Sequence, residues 1–155
     1  MPSELSHATE RLPADLSGAA ERALVLVVED DAFTRGAVRD QLARGGYDVV
    51  ESSSGREALE LLRQGMTPRF LVADLRMADG SGGWLISHVG YEFPRLLAGT
   101  IVISGDAASA AAAHVRARWR CPVLAKPFDG TQLIDAIAEL ARLASGAAED
   151  DSSRD

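Results

Sequence analysis

The stretch LVLVVEDD, residues 24–31, decides the fold, because an apolar run ends in three consecutive carboxylates. A short run of β-prone apolar residues is typical of a strand that is covered on both faces, as in a parallel sheet. A second stretch, FLVAD at 70–74, has the same form and ends in the single carboxylate of Asp74. Both stretches therefore predict central strands of a parallel sheet with acids at their carboxyl ends.

Short apolar runs of this kind alternate along the chain with longer segments whose apolar residues recur at helical spacing. Five strands are predicted, at 24–28, 47–51, 70–73, 100–103 and 123–125. Five helices are predicted between and after them, at 33–44, 55–63, 83–89, 107–118 and 131–143. Right-handed crossovers wind such a repeat into an α/β fold with a doubly wound parallel sheet, whose ligands bind beyond the carboxyl ends of the strands.

Two of the predicted helices have clear apolar faces. The first helix is expected to direct four residues at the sheet: Phe33, Ala37, Val38 and Leu42. The last helix is expected to do the same with Leu133, Ile134, Ile137, Leu140 and Ala141. The domain that results spans residues 23–144, between a leader at 1–22, flexible or a short helix, and an acidic tail at 145–155.

The composition excludes several classes of protein. No apolar run approaches the roughly 18 residues that a membrane span needs, and the N-terminus lacks the pattern of a signal peptide. A net charge of -7 argues against a nucleic-acid binder. The single cysteine, Cys121, suits a reducing compartment. We therefore expect a cytoplasmic protein whose partners are proteins, with neither DNA nor a membrane among them.

The acids that follow the first strand indicate a metal site. Carboxylates this close raise one another's pKa, and a hard divalent ion such as Mg²⁺ (or Mn²⁺) relieves the conflict by taking their oxygens. Asp31 is expected to cap the next helix instead. The predicted ligands are Glu29, Asp30 and Asp74, together with the backbone carbonyl of Arg76 in the glycine-rich loop after the third strand.

Two further polar groups follow the last two strands, Ser104 after the fourth and Lys126 after the fifth. Because the ends of parallel strands are neighbours, all these groups are expected to share one shallow pocket. They suit phosphoryl transfer to a carboxylate, in which the protein positions groups and neutralises charge on the phosphoryl oxygens. Asp74 is the predicted nucleophile, and Lys126 and Ser104 are expected to bind the phosphoryl oxygens.

Four motifs, VLVVEDD, VADLRMADGSG, VISGD and LAKPF, occur in this order between residues 25 and 128. With them, the chain from 23 to 143 closely resembles the CheY-like receiver domains of bacterial response regulators. The resemblance implies strand order 2-1-3-4-5, an acidic pair at Glu29 and Asp30, and the phosphoacceptor at Asp74. It also implies a hydroxyl switch at Ser104 and a phosphate-binding lysine at Lys126.

The function that the resemblance implies is signalling rather than ordinary enzyme catalysis. A sensor histidine kinase or a histidine phosphotransfer protein would donate the phosphoryl group, and the receiver itself would catalyse part of its hydrolysis. The phosphorylated form would then contact a downstream protein target. Because no output domain follows the last predicted helix, a stand-alone receiver is expected.

Some positions depart from the family pattern. Ala78 stands where the family usually has proline, and Val123 stands where many members carry the switch aromatic.

Arg76 and Asp106 follow Asp74 and Ser104 by two residues each. Our hypothesis is that they pair and lengthen the lifetime of the phosphoryl group, and the alternative is a solvated ion pair of little energy.

The motifs disfavour two alternatives to a phosphorylated receiver. A haloacid-dehalogenase-like phosphatase is disfavoured, because its nucleophile lies in a D-x-D motif after the first strand. A receiver-shaped module that works without phosphate is disfavoured by the buried like charges, which such a module has no reason to keep. The face formed by the fourth predicted helix, the fifth strand and the fifth helix could form an isologous homodimer, with a monomer as the alternative.

Overall fold

The computed structural model describes residues 22–152, with side chains over 22–146. Almost all of the predicted leader, 1–22, lies outside this range, so the prediction of a flexible segment or short helix there stays a prediction. None of the helices in the described part of the chain is long and apolar enough to cross a membrane.

Residues 22–152 form five strands and six helices. The strands are β1 (Leu24–Val28), β2 (Asp48–Ser52), β3 (Phe70–Asp74), β4 (Thr100–Ser104) and β5 (Val123–Ala125). The helices are α1 (Ala32–Arg44), α2 (Gly55–Arg63), α3 (Gly82–Glu92), α4 (Pro94–Leu97), α5 (Ala110–Trp119) and α6 (Gly130–Ser152). All strand pairs are parallel, and the order across the sheet is β2-β1-β3-β4-β5. The predicted α/β class and strand order are confirmed.

Two helical features differ from the prediction. The short helix α4 was not predicted; it begins at Pro94, a residue whose fixed φ suits the first helical position. The last helix passes the predicted end at Leu143 and continues to Ser152, so residues 145–152 of the predicted acidic tail are helical. Ala147, Ala148 and Glu149 are strong helix formers, but the serines, glycine and aspartates around them are weaker ones, so the sequence does not predict a helix this far.

The core lies on both faces of the sheet, as expected of buried parallel strands. Alternate residues of β1 and β3 point to opposite sides, so Leu26 and Leu71 pack under α2 and α3. On the other side, Val27 and Val72 pack under α1 and α6. A third cluster lies between α3 and α5 and includes Cys121. The strand ends are thereby fixed between rigid layers.

The prediction that Phe33 and Ala37 lie on the core side of α1 is wrong. Val38 and Leu42 are buried, but Ala37 is exposed and the Phe33 side chain is 85% exposed. Phe33 precedes Val38 by five residues, which at 3.6 residues per turn turns it about 140° away around the helix. In α6 the expectation holds, because Leu133 and Ile137 are fully buried and the other three predicted residues are half-buried.

Candidate phosphoryl-accepting site

The register of the sheet brings the polar strand ends to one edge. Val28 pairs with Ala73, so Glu29 and Asp74 follow adjacent positions. Asp74 pairs with Ile103, and Ser104 pairs with Ala125. The backbone N–H of Lys126 also donates to the carbonyl of Ser104 at 2.8 Å. Residues that are far apart in sequence therefore lie next to one another at the carboxyl edge of the sheet, where the sequence predicts a pocket.

Three carboxylates converge in this pocket. One oxygen atom each from Glu29, Asp30 and Asp74 lies within 4.8 Å of the others. Glu29 is 1% exposed and Asp74 is 6% exposed, whereas Asp30 is exposed. Hard oxygen donors in such a cluster match the ligand preference of Mg²⁺, so the residues present fit this cation. Asp31, by contrast, caps α1 by accepting a 2.8 Å hydrogen bond from the N–H of Thr34.

Burial destabilises the ionised form of the Glu29 side chain. It raises the pKa of Glu29 to about 7, and the neighbouring Asp74 acts in the same direction. The Lys126 ammonium and the N–H of Asp31, which donates to Glu29 Oε1 at 3.2 Å, partly offset this rise in pKa. A cation bound among these carboxylates would relieve the same conflict.

Lys126 bridges two of the acids. Its Nζ atom lies 2.8 Å from Asp74 Oδ2 and 3.0 Å from Glu29 Oε2. Burial by itself would lower the pKa of the Lys126 amine, but its bonds to Asp74 and Glu29 outweigh burial, and the pKa is raised. The side chain is therefore a fixed positive charge beside Asp74.

The loop after β3, residues 75–81, forms the second wall of the pocket. The N–H of Arg76 donates to Asp74 Oδ1 at 3.1 Å, and the N–H of Ala78 donates to Asp30 Oδ2 at 3.3 Å. A cleft of about 470 Å³ opens between this loop and Ala111 at the start of α5. The loop that carries the predicted carbonyl ligand, Arg76, is thus tied to two of the predicted carboxylate ligands.

Ser104 is buried at the end of β4, where its Oγ atom accepts the N–H of Asp106 at 3.1 Å. Val123 is half-buried and packs in the cluster between α3 and α5. Asp106 accepts the N–H of Ala108 at 3.2 Å, and the ion pairs found among residues 22–146 do not include Arg76. The predicted contact between Arg76 and Asp106 is not formed here.

Two features of the site were missed from the sequence. Arg35 Nη1 donates to the backbone carbonyl of Glu29 at 2.9 Å, which fixes the end of β1. Phe33 and Phe128 line a cleft of about 250 Å³ next to Lys126. The position of Arg35, one turn into the helix after the acids, was the available signal for the first feature. No signal in the sequence pointed to the second, because it joins α1 to the segment after β5.

Several known proteins are similar to this chain in sequence. Sensor kinase CckA of Brucella abortus (strain 2308) is 35% identical over 127 residues, which are 81% of this chain but 13% of that protein. The chain therefore spans a small part of this relative. Chemotaxis protein CheY of Thermotoga maritima is 27% identical over 76% of this chain and 97% of its own length. Acid tolerance regulatory protein ActR of Rhizobium meliloti is 31% identical over 90% of this chain and 68% of its own length.

A solved response regulator receiver protein from Sinorhizobium medicae is similar with a TM-score of 0.68 and 26% identity, over 77% of this chain and 94% of its own. A receiver domain protein from Methanospirillum hungatei shares the fold, with a TM-score of 0.73 and 20% identity, over 81% of this chain and 99% of its own. The family model described as response regulator receiver domain matches residues 25–138. Since this match covers most of the 155 residues, the chain belongs to the response regulator receiver domain family.

Proposed function

We propose that Asp74 accepts a phosphoryl group from a phosphohistidine of a sensor histidine kinase or a histidine phosphotransfer protein, in a reaction that needs Mg²⁺ or Mn²⁺. The observation that carries this proposal is the surroundings of Asp74. Its carboxylate is buried, 2.8 Å from the Lys126 ammonium and within 4.8 Å of two further carboxylates. An oxygen of Asp74 attacks phosphorus, the phosphorus–nitrogen bond breaks, and the histidine nitrogen keeps the electron pair.

Each neighbouring residue has a part in this transfer. The cation would be held by Glu29, Asp30, Asp74 and the Arg76 carbonyl. When bound, it would reduce the repulsion between the negative carboxylate of Asp74 and the negative phosphoryl oxygens. Lys126 is placed to leave Asp74 and pair with a phosphoryl oxygen, since it already contacts the nucleophile. Ser104 ends the neighbouring strand and offers a hydroxyl hydrogen to another phosphoryl oxygen.

The surface beside Lys126 supports a protein as the donor. Phe33 is 85% exposed, and it lines a cleft with Ala37 and Phe128 directly next to Lys126. Phe33, Ala37 and Phe128 together form a contiguous apolar lining beside Lys126, and a contiguous apolar patch favours a protein contact. A small phosphodonor would not need this surface, whereas a helical donor domain could cover it while its phosphohistidine reaches Asp74.

The phosphorylated receiver is proposed to act through contact with a downstream protein, and a cytoplasmic location agrees with a kinase as donor. The face formed by α5, β5 and α6 is the proposed surface for this contact or for a homodimer. Val123 is half-buried near the start of this face. The response of the face to phosphorylation therefore cannot use an aromatic side chain at this position. Packing of the cluster around Val123, Ala112 and Val115 would change instead.

The test is the intact mass of the protein after incubation with acetyl phosphate and Mg²⁺. Wild type is expected to gain the mass of one phosphoryl group, and Asp74→Asn is expected to gain none. Asp135→Asn is the matched control and is expected to gain the phosphoryl mass as wild type does, because it replaces an exposed acid of α6 and leaves every proposed site residue in place. A gain in both wild type and Asp74→Asn, or in neither, would contradict the proposal. Addition of EDTA is expected to abolish the gain.

A further inference from the structure

The loop between β3 and α3, residues 75–81, also contacts the beginning of α2. The N–H of Gly55, the first residue of α2, donates to the carbonyl of Asp79 at 3.0 Å. The next residue, Arg56, places its Nε atom 2.9 Å from Asp79 Oδ1. The loop is thus held on one side by Asp30 at the metal site and on the other side by the start of α2.

The contact between α2 and the loop is a contact of two main chains. A Cβ atom at Gly55 would overlap the carbonyl oxygen of Gly80. A Cβ atom at Gly80 would lie 2.7 Å from the backbone nitrogen of Arg56, and Gly80 has a φ of +73°, which favours glycine. Neither position has room for a side chain, so the loop cannot stay where it is if either glycine is replaced.

The side chain of Arg56 adds a second, weaker connection. Its guanidinium group lies between the Asp79 carboxylate and the ring of Trp84, 4.9 Å from the ring centroid. Trp84 belongs to the first turn of α3, immediately after the loop. Since Arg56 and Asp79 are both more than 60% exposed, the ion pair contributes little by itself, and the main-chain contact carries most of the constraint.

We propose that Gly55 and Arg56 are positioning residues for the metal ion, acting through the loop that carries Arg76 and contacts Asp30. The inference rests on the proposed function, which assigns Mg²⁺ to these residues. Mg²⁺ requires nearly ideal octahedral geometry at about 2.0–2.1 Å, so a small displacement of one ligand costs affinity. A shift of Gly80 away from α2 moves the loop that supplies the carbonyl ligand, and it disturbs the 3.3 Å bond between Ala78 and Asp30.

The test is the dissociation constant for Mg²⁺ of the purified full chain, measured by isothermal titration calorimetry without any phosphodonor. Gly55→Ala is expected to weaken Mg²⁺ binding by about tenfold or more, as is typical when a residue that orients a ligand is lost. Gly36→Ala in α1 is the matched control, because its Cβ atom would lie 3.6 Å from the Arg39 side chain, an ordinary contact. This control is expected to bind Mg²⁺ as wild type does.

Variants of the ion pair test the second connection. Arg56→Ala is expected to weaken Mg²⁺ binding by about threefold, within the range of exposed ion pairs. Arg56→Asp combined with Asp79→Arg places opposite charges at the two positions again. This double variant is expected to recover part of the Mg²⁺ affinity that Arg56→Ala loses. A contact that only stabilises the fold would lower the free energy of unfolding of the metal-free protein but leave the Mg²⁺ affinity of the folded protein unchanged.

Wild-type Mg²⁺ affinity in folded Gly55→Ala would overturn the proposal. Should Gly55→Ala not fold, wild-type affinity in Arg56→Ala would overturn it, since Arg56 is 63% exposed and its truncation leaves the core intact. A wild-type protein that binds no Mg²⁺ at all would contradict the proposed function instead. The two failures are therefore distinguished in one set of titrations.

Discussion

The Nζ atom of Lys126 lies between Oδ2 of Asp74 and Oε2 of Glu29, at 2.8 and 3.0 Å, so one ammonium group is shared by two buried carboxylates. Removal of the ammonium leaves these carboxylates without a counterion in a region of low dielectric constant.

Lys126→Met is therefore expected to destabilise the metal-free protein. The expected loss is about 1–3 kcal/mol in the free energy of unfolding, below the full cost of breaking a buried pair because the Lys126 side chain is 27% exposed. Urea unfolding at pH 7.5 with EDTA measures this loss. Lys126→Arg keeps the charge and is the control, and equal stability of all three proteins would contradict the shared ion pair.

Stability of the metal-free protein is expected to depend on the ionisation of Glu29. The pKa of this carboxyl is raised from 4.5 to about 7, so the folded state holds the proton more tightly than the unfolded state. The contribution of Glu29 to stability is fully present below pH 4.5 and is lost as the pH rises through about 7. This contribution is measured by comparing the urea midpoints of wild type and Glu29→Gln, in EDTA, across this pH range. A constant difference between the two proteins would contradict the prediction.

The thiol of Cys121 is expected to be unreactive in the folded protein. Burial raises the pKa of Cys121 to about 12, and the residue is 2% exposed. Its reaction with a disulfide reagent such as DTNB at pH 8 should be slower than in urea by about a hundredfold or more, since it requires local opening. Cys121→Ser has no cysteine and therefore measures the background signal of the reagent. Rapid labelling of the native protein would show that the cluster between α3 and α5 opens readily.

Gly90 in α3 is expected to tolerate no side chain. A Cβ atom there would overlap the ring of Trp119, which packs edge to face with Tyr91 at a centroid distance of 5.4 Å. Gly90→Ala should therefore lower the free energy of unfolding by about 1–3 kcal/mol. Gly83→Ala in the same helix is the control, because its nearest neighbour would be 4.0 Å away. Equal effects of the two substitutions on stability would refute the steric explanation.

Arg76 and Asp106 test the hypothesis about the lifetime of the phosphoryl group. Although the two side chains are not paired in this structure, both follow strand ends at the pocket. If they obstruct the attacking water once Asp74 is phosphorylated, Arg76→Ala should raise the dephosphorylation rate severalfold. The decay of the phosphorylated mass after removal of acetyl phosphate measures this rate. Decay of both Arg76→Ala and Asp106→Ala at the wild-type rate would contradict the hypothesis.

Much of the fold could be predicted because the signals were local. The apolar run before Glu29 and the run before Asp74 each indicate a strand, and the rule that parallel strand ends meet brings their acids together. The prediction for Phe33 failed because an apolar residue five positions before Val38 lies about 140° away from it around the helix, on the solvent side. Helix α4 was missed because its four residues are too few to show a period.

The contacts that refine the site could not be predicted in this way. The contact between Gly55 and Gly80 and the cleft between Phe33 and Phe128 depend on how separate elements approach one another. Glycine in a loop indicates a turn, but the sequence does not reveal which backbone the turn will touch. Such information enters only with the packing of the helices on the sheet.

The approach of Gly55 to Gly80 also limits how this protein can be redesigned. Because both partners are main-chain atoms, no choice of side chain at one position makes room for a Cβ atom at the other. A second substitution therefore cannot rescue the first, as it could where two side chains compete for space. A designer who keeps this backbone is free to vary the exposed residues around the two glycines, but must leave the pair itself unchanged.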